Sequence, residues 1–84
     1  MPTVHRFGPY RFYFYSEENR ASFEAPHIHV ASAPGRAVFW LEPVSLRSSW
    51  GYTPFEVERI RRIVVGSRES LLRSWNEFFD HPSG

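Results

Sequence analysis

Two of the four histidines lie two residues apart in Pro26-His27-Ile28-His29-Val30, a β-branched, extended run, and residues two apart on a strand face the same way. The pattern predicts that Ile28 and Val30 enter a core while His27 and His29 share a solvent-reachable face. Paired imidazoles there could move a proton, hold an anion or ligate a divalent metal. As catalytic candidates, His27 and His29 would supply proton transfer for phosphoryl chemistry. Their side-by-side placement suits that poorly, because in-line displacement wants acid and base on opposite sides of the phosphate. As metal candidates, His27 and His29 give two nitrogen ligands, and Glu42, His5 or His81 would have to add a third, since two are too few for a closed zinc site. Arg61 and Arg68, seven residues apart, are the candidate anion- or nucleic-acid-binding pair. The plainer reading is that each lies along apolar surface or meets a carboxylate such as Glu42.

The elements that must position these residues read as α+β. Thr3 to Phe7 alternates weakly and Gly8-Pro9 signals a turn. Tyr10 to Tyr15 is aromatic except for Arg11, as expected of a central strand covered on both faces. Ser16 to Ala25, polar and acidic, reads as a surface loop. After the histidine strand, Ala33-Pro34-Gly35-Arg36 has proline and glycine where a type II turn needs them. The return strand Ala37 to Glu42 ends at Pro43, and a short extension through Val44 and Leu46 precedes the polar Arg47-Ser48-Ser49.

Thr53-Pro54-Phe55-Glu56 is a helix start: a hydroxyl cap, proline at the first helical position and a carboxylate placed to close a capping box. From there Val57, Ile60, Val64, Leu71, Trp75 and Phe78 keep one helical phase across Gly66. The expectation is a small antiparallel sheet of four to five strands, over about residues 3–46, packed on one long C-terminal helix over about 54–79, in a single domain. Glu58 with Arg62 and Glu69 with Arg73 are favourable pairs four apart and read as a solvated face.

Composition narrows the function. The 84 residues include eight Phe, four Tyr and three Trp, enough apolar area for a small core. With no cysteine, disulfides and thiolate metal sites are excluded. No apolar run approaches membrane-spanning length and no targeting segment is evident, so a cytoplasmic protein is expected. A net charge of +1 argues against a duplex-wrapping protein, so any nucleic-acid site must be local. Every basic residue is arginine, which favours bidentate contacts with phosphate and carboxylate, although a GC-rich genome gives the same bias.

Met1-Pro2-Thr3-Val4, Tyr10-Arg11-Phe12-Tyr13-Phe14-Tyr15, Pro26-His27-Ile28-His29-Val30, Phe39-Trp40-Leu41-Glu42-Pro43 and Trp75-Asn76-Glu77-Phe78-Phe79 occur in that order over nearly the whole chain. In this the chain resembles a widespread family of small bacterial proteins of unknown function. The resemblance implies a compact α+β domain and a place in toxin–antitoxin-type gene pairs, with a small protein partner from a neighbouring gene or an RNA target. Against that resemblance, Gly66-Ser67 stands where acidic or amide helix formers are expected, and Ala31 follows the histidine motif where a charged residue is common. Three readings follow, in order: a partner-binding or oligomerising module; an RNA-acting, toxin-like module using the His27/His29 face; and a metal-binding protein. The long helix and the aromatic content point to a homodimer, the commonest closed symmetry.

Overall fold

The computed structural model describes residues 3–14 and 25–79. The expected loop over 16–25 falls outside them except for Ala25, and so does His81. Five strands, β1 (Thr3–Phe7), β2 (Tyr10–Tyr13), β3 (His27–Ser32), β4 (Gly35–Leu41) and β5 (Val44–Trp50), form an antiparallel meander in sequence order. Gly8, at φ +58, supplies the left-handed conformation that turns β1 into β2. Strand β4 alternates buried with more exposed residues along its length, the mark of a sheet with one face packed.

The polar Arg47-Ser48-Ser49 continues as strand: β5 pairs with β4 from Leu41↔Val44 to Arg36↔Trp50. Its ladder partner supplies the order that its own composition does not, and as an edge strand it needs little apolar surface. The tip between β3 and β4 is also tighter than expected, with Ser32 opposite Gly35 and only Ala33 and Pro34 between them. Gly35 is not in the left-handed region a type II turn would require; Gly51 is, at φ +86. Gly35 is needed for closeness instead, because a side chain there would run into the Trp50 carbonyl and the Gly51 backbone.

The single helix expected over 54–79 is divided into α1 (Pro54–Gly66) and α2 (Arg68–Phe79). Gly66 is a weak helix former, and Ser67 leaves the helical region at φ −107, ψ 10. Its N–H still reaches the carbonyls of Ile63 and Val64 at 3.0 and 3.1 Å, and its own carbonyl accepts from the Leu71 N–H at 2.9 Å. Helical bonding resumes within one residue, so the apolar stripe keeps its phase. Ile60, Val64, Leu71 and Trp75 are buried against Phe12, Phe14, Ile28, Val30, Phe39 and Leu41 on the inner sheet face, with Val57 and Phe78 packed at the margin. No helix among the described residues is long and apolar enough to cross a membrane.

Thr53 caps α1 as expected, its hydroxyl accepting from the Glu56 N–H at 3.1 Å. The Glu56 carboxylate is engaged by the Tyr10 hydroxyl, which ties the first helical turn to β2. Burial, and then the hydrogen bond to Glu56, push the Tyr10 phenol from 10.0 up to about 12.

Two outcomes follow. Leu71, 1% exposed, should cost about 2–5 kcal/mol when changed to alanine, read by denaturant unfolding; an unchanged midpoint would refute the packing described. Because the folded state holds the Tyr10 proton more tightly than the unfolded chain, its contribution is present below pH 10 and is lost as pH rises from 10 to about 12. Tyr10→Phe should flatten the stability profile in that window.

Candidate functional site

The strand period places Ile28 and Val30 on the inner face, both wholly buried. His27 and His29 share the other face, their ring centroids 5.4 Å apart and their planes at 69°. Their accessibility is not as expected: His27 is 0% exposed. It sits at the start of β3, where Trp40 stands across the ladder at 5.7 Å and Trp75 of α2 comes within 5.0 Å. The expectation of a solvent-reachable pair assumed a bare face beyond the strand, whereas the indole of Trp75 reaches both Phe14 and His27. The imidazole is held by a 2.9 Å hydrogen bond between Nδ1 and the Ala25 carbonyl; since a carbonyl only accepts, Nδ1 carries the proton. His29 is half-buried and lies flat against Tyr13, centroids 5.4 Å apart and planes at 18°.

The other candidates are dispersed. Arg61 makes a two-pronged contact with Glu58, Nε to Oε1 at 2.9 Å and Nη2 to Oε2 at 2.7 Å, and Arg62 joins the same carboxylate at 3.3 Å. These guanidinium hydrogen bonds hold the Glu58 carboxyl down at about 2. Arg68 donates to the Leu41 carbonyl at 2.9 Å and lies 3.6 Å from Glu42, the carboxylate named as its alternative partner. His5 is on the helix side of the sheet, 3.4 Å from the Ser67 hydroxyl. Among the described residues, no group of three His, Asp or Glu is placed to hold a metal ion.

What the sheet does bring together is arginine. Following the register across all five strands, Arg6 stands opposite Arg11, Arg11 opposite Ala31, Ala31 opposite Arg36, and Arg36 opposite Trp50. This row lies on the outer face, away from the helices, and apart from Ala31 its members are exposed. The next row carries Tyr13, His29, Val38 and Ser48; the third carries His27, Trp40 and Ser45. Between Val38 and Phe39 the register of β4 on β5 shifts, leaving Arg47 as the extra residue, with its guanidinium 5.1 Å above the Trp40 ring. Arg11 stands 5.5 Å over Tyr13, so Arg11, Tyr13 and His29 form a continuous stack.

No strand among the described residues carries an Asp or Glu. The described carboxylates, Glu42, Glu56, Glu58, Glu69 and Glu77, lie in the β4–β5 turn or on the helices. Among the described residues the ion pairs join Arg61, Arg62 and Arg68 to Glu58 and Glu42, and none involves Arg6, Arg11 or Arg36. Like charges directly opposite on a ladder are destabilising, so Arg6 against Arg11 is a cost the fold carries elsewhere. Sequence reasoning passed over these residues. The available signal was phase: Arg11, Arg36 and Arg47 fall out of step with the neighbouring core residues.

A model of a family described as a domain of unknown function (DUF4160) matches residues 10–76. The chain belongs to this family. Searches of curated proteins and of solved structures find no match. The DUF4160 match runs from β2 to one residue beyond Trp75, and so takes in Arg11, His27, His29, Arg36, Arg47 and Trp50 but not Arg6.

The two histidines should separate on substitution. His27→Ala empties a fully buried site beneath Trp75 and should cost about 2–4 kcal/mol. His29→Ala removes a half-buried ring and should cost less than half as much, with both values read from melting curves. Equal, negligible losses would show that His27 is not packed as described.

Proposed function

We propose that this DUF4160 domain is a binding module that takes a single-stranded nucleic acid such as RNA on the outer face of its sheet. The observation that carries the reading is the transverse row of Arg6, Arg11, Arg36 and Trp50, spanning five strands that bear no carboxylate among the described residues. Arginines spaced across a sheet follow a phosphate backbone, and aromatic faces beside them take unstacked bases. A duplex hides its bases, and +1 overall is too little charge for wrapping one. The reading is of binding rather than cleavage, because His27, wholly buried, does not reach a phosphate. The partner-binding reading draws on the same face, whose arginines would equally meet an acidic segment of a neighbouring gene's product.

The test is fluorescence anisotropy with a labelled ten-nucleotide RNA, set against the same sequence as a duplex. The single strand should bind more tightly and weaken with salt, the logarithmic slope being roughly −2 for three neutralised phosphates. Arg11→Ala should reduce that slope by about 0.7, while the melting temperature is retained. Binding indifferent to Arg11→Glu and Arg36→Glu would overturn the assignment. So would failure to bind RNA alongside capture of an acidic neighbouring gene product. Light scattering on the same samples reads whether the expected homodimer forms, against 9.9 kDa for one chain.

A further inference from the structure

At the β4–β5 margin of the outer face, Arg36, Val38, Ser48 and Trp50 line a trough of about 300 Å³, completed by Ala37 and Ser49. That is the lower end of the size range of small-ligand sites. The four named side chains come from two cross-strand pairs, Arg36 with Trp50 and Val38 with Ser48, so they project together. Trp50 is 70% exposed although it is among the largest apolar side chains in the protein. Its backbone is fixed where Gly35 and Gly51 allow the chain to close against the β3–β4 tip. The indole is thus presented on a rigid ladder, beside a guanidinium.

The geometry points to this trough as a nucleobase subsite. A base lies against the Trp50 ring and Val38 in a nearly apolar trough, and its 5′ or 3′ phosphate meets Arg36 at the margin. A tryptophan supplies the largest stacking surface of any side chain, and stacking is tolerant of base identity. With a nearly apolar lining, the subsite holds a base by its face and does not choose among bases. Charge complementarity favours this occupant: Arg36 belongs to the arginine row, and Arg47 stands on the same face one residue before Ser48. The assignment rests on the nucleic-acid reading above and adds to it where a base is held.

The experiment compares the ten-nucleotide RNA with an abasic ribose-phosphate oligomer of equal length, using the whole protein and its Trp50→Ala, Trp50→Phe and Arg11→Ala variants, each checked by melting temperature. Trp50→Ala should weaken the base-bearing strand roughly ten-fold and leave the abasic oligomer unchanged, and Trp50→Phe should keep most of the affinity. The RNA should also quench tryptophan emission, an effect lost in Trp50→Phe. If Trp50→Ala weakens both oligomers alike, or neither, while Arg11→Ala weakens both, the base subsite is overturned and the nucleic-acid reading stands. If neither oligomer binds the unaltered protein, both fall.

Discussion

The apolar seam between the inner sheet face and the helical stripe of Ile60, Val64, Leu71 and Trp75 is the contact on which the other features rest. A five-stranded meander has two faces, and the two helices among the described residues pack on one of them. Concentrating Phe12, Phe14, Ile28, Val30, Phe39 and Leu41 on the inner face lets that one seam carry the stability. The seam survives the change of helix at Ser67 because the Leu71 N–H bonds to the Ser67 carbonyl and returns the stripe to phase. Had the two helices lost register, Leu71 and Trp75 would have turned away from the sheet.

With the inner face settled, the outer face can carry charge, and among the described residues that charge has one sign. Two of the carboxylates of the helices and the β4–β5 turn are paired with helical arginines, Glu58 with Arg61 and Arg62, Glu42 with Arg68. Among the described residues the helices and the β4–β5 turn are balanced and the strands hold only cationic charged residues; Glu17, Glu18, Arg20, Glu24 and Asp80, outside the described residues, bring the total to +1. Such segregation makes the local field at the outer face larger than net charge suggests. Edge strands also benefit: an arginine on each, Arg6 on β1 and Arg47 on β5, discourages pairing with another chain. One set of side chains thus protects the sheet edges and charges its outer face.

The histidine motif shows how residue type and spacing fix a shared face without fixing access to it. His27 and His29 do share a face, as the strand period requires, yet the two rings differ in access, and Trp75, forty-eight positions along the chain from His27, comes to rest on one of them. In that setting the Nδ1–H of His27 satisfies the Ala25 carbonyl and its ring lies against an indole. His29 instead extends the Arg11–Tyr13 stack toward the surface.

Period and punctuation were legible in the sequence. The alternation of His27 to Val30 assigned Ile28 and Val30 to the core, the stripe from Val57 to Phe78 named the buried helical residues, and Thr53-Pro54 marked the helix start, because each depends on neighbours within one or two turns of chain. Only the tertiary structure decided the rest. That Arg6, Arg11, Arg36 and Trp50 form one row depends on four strand registers at once, and no local period encodes the register between strands. The polar β5 owes its order to β4, the Tyr10–Glu56 tie joins positions forty-six apart, and the cover over His27 comes from a helix that reaches it only after the sheet has been built. Each of these is a contact between distant parts of the chain, made available by the packing of the seam rather than by the residues beside it.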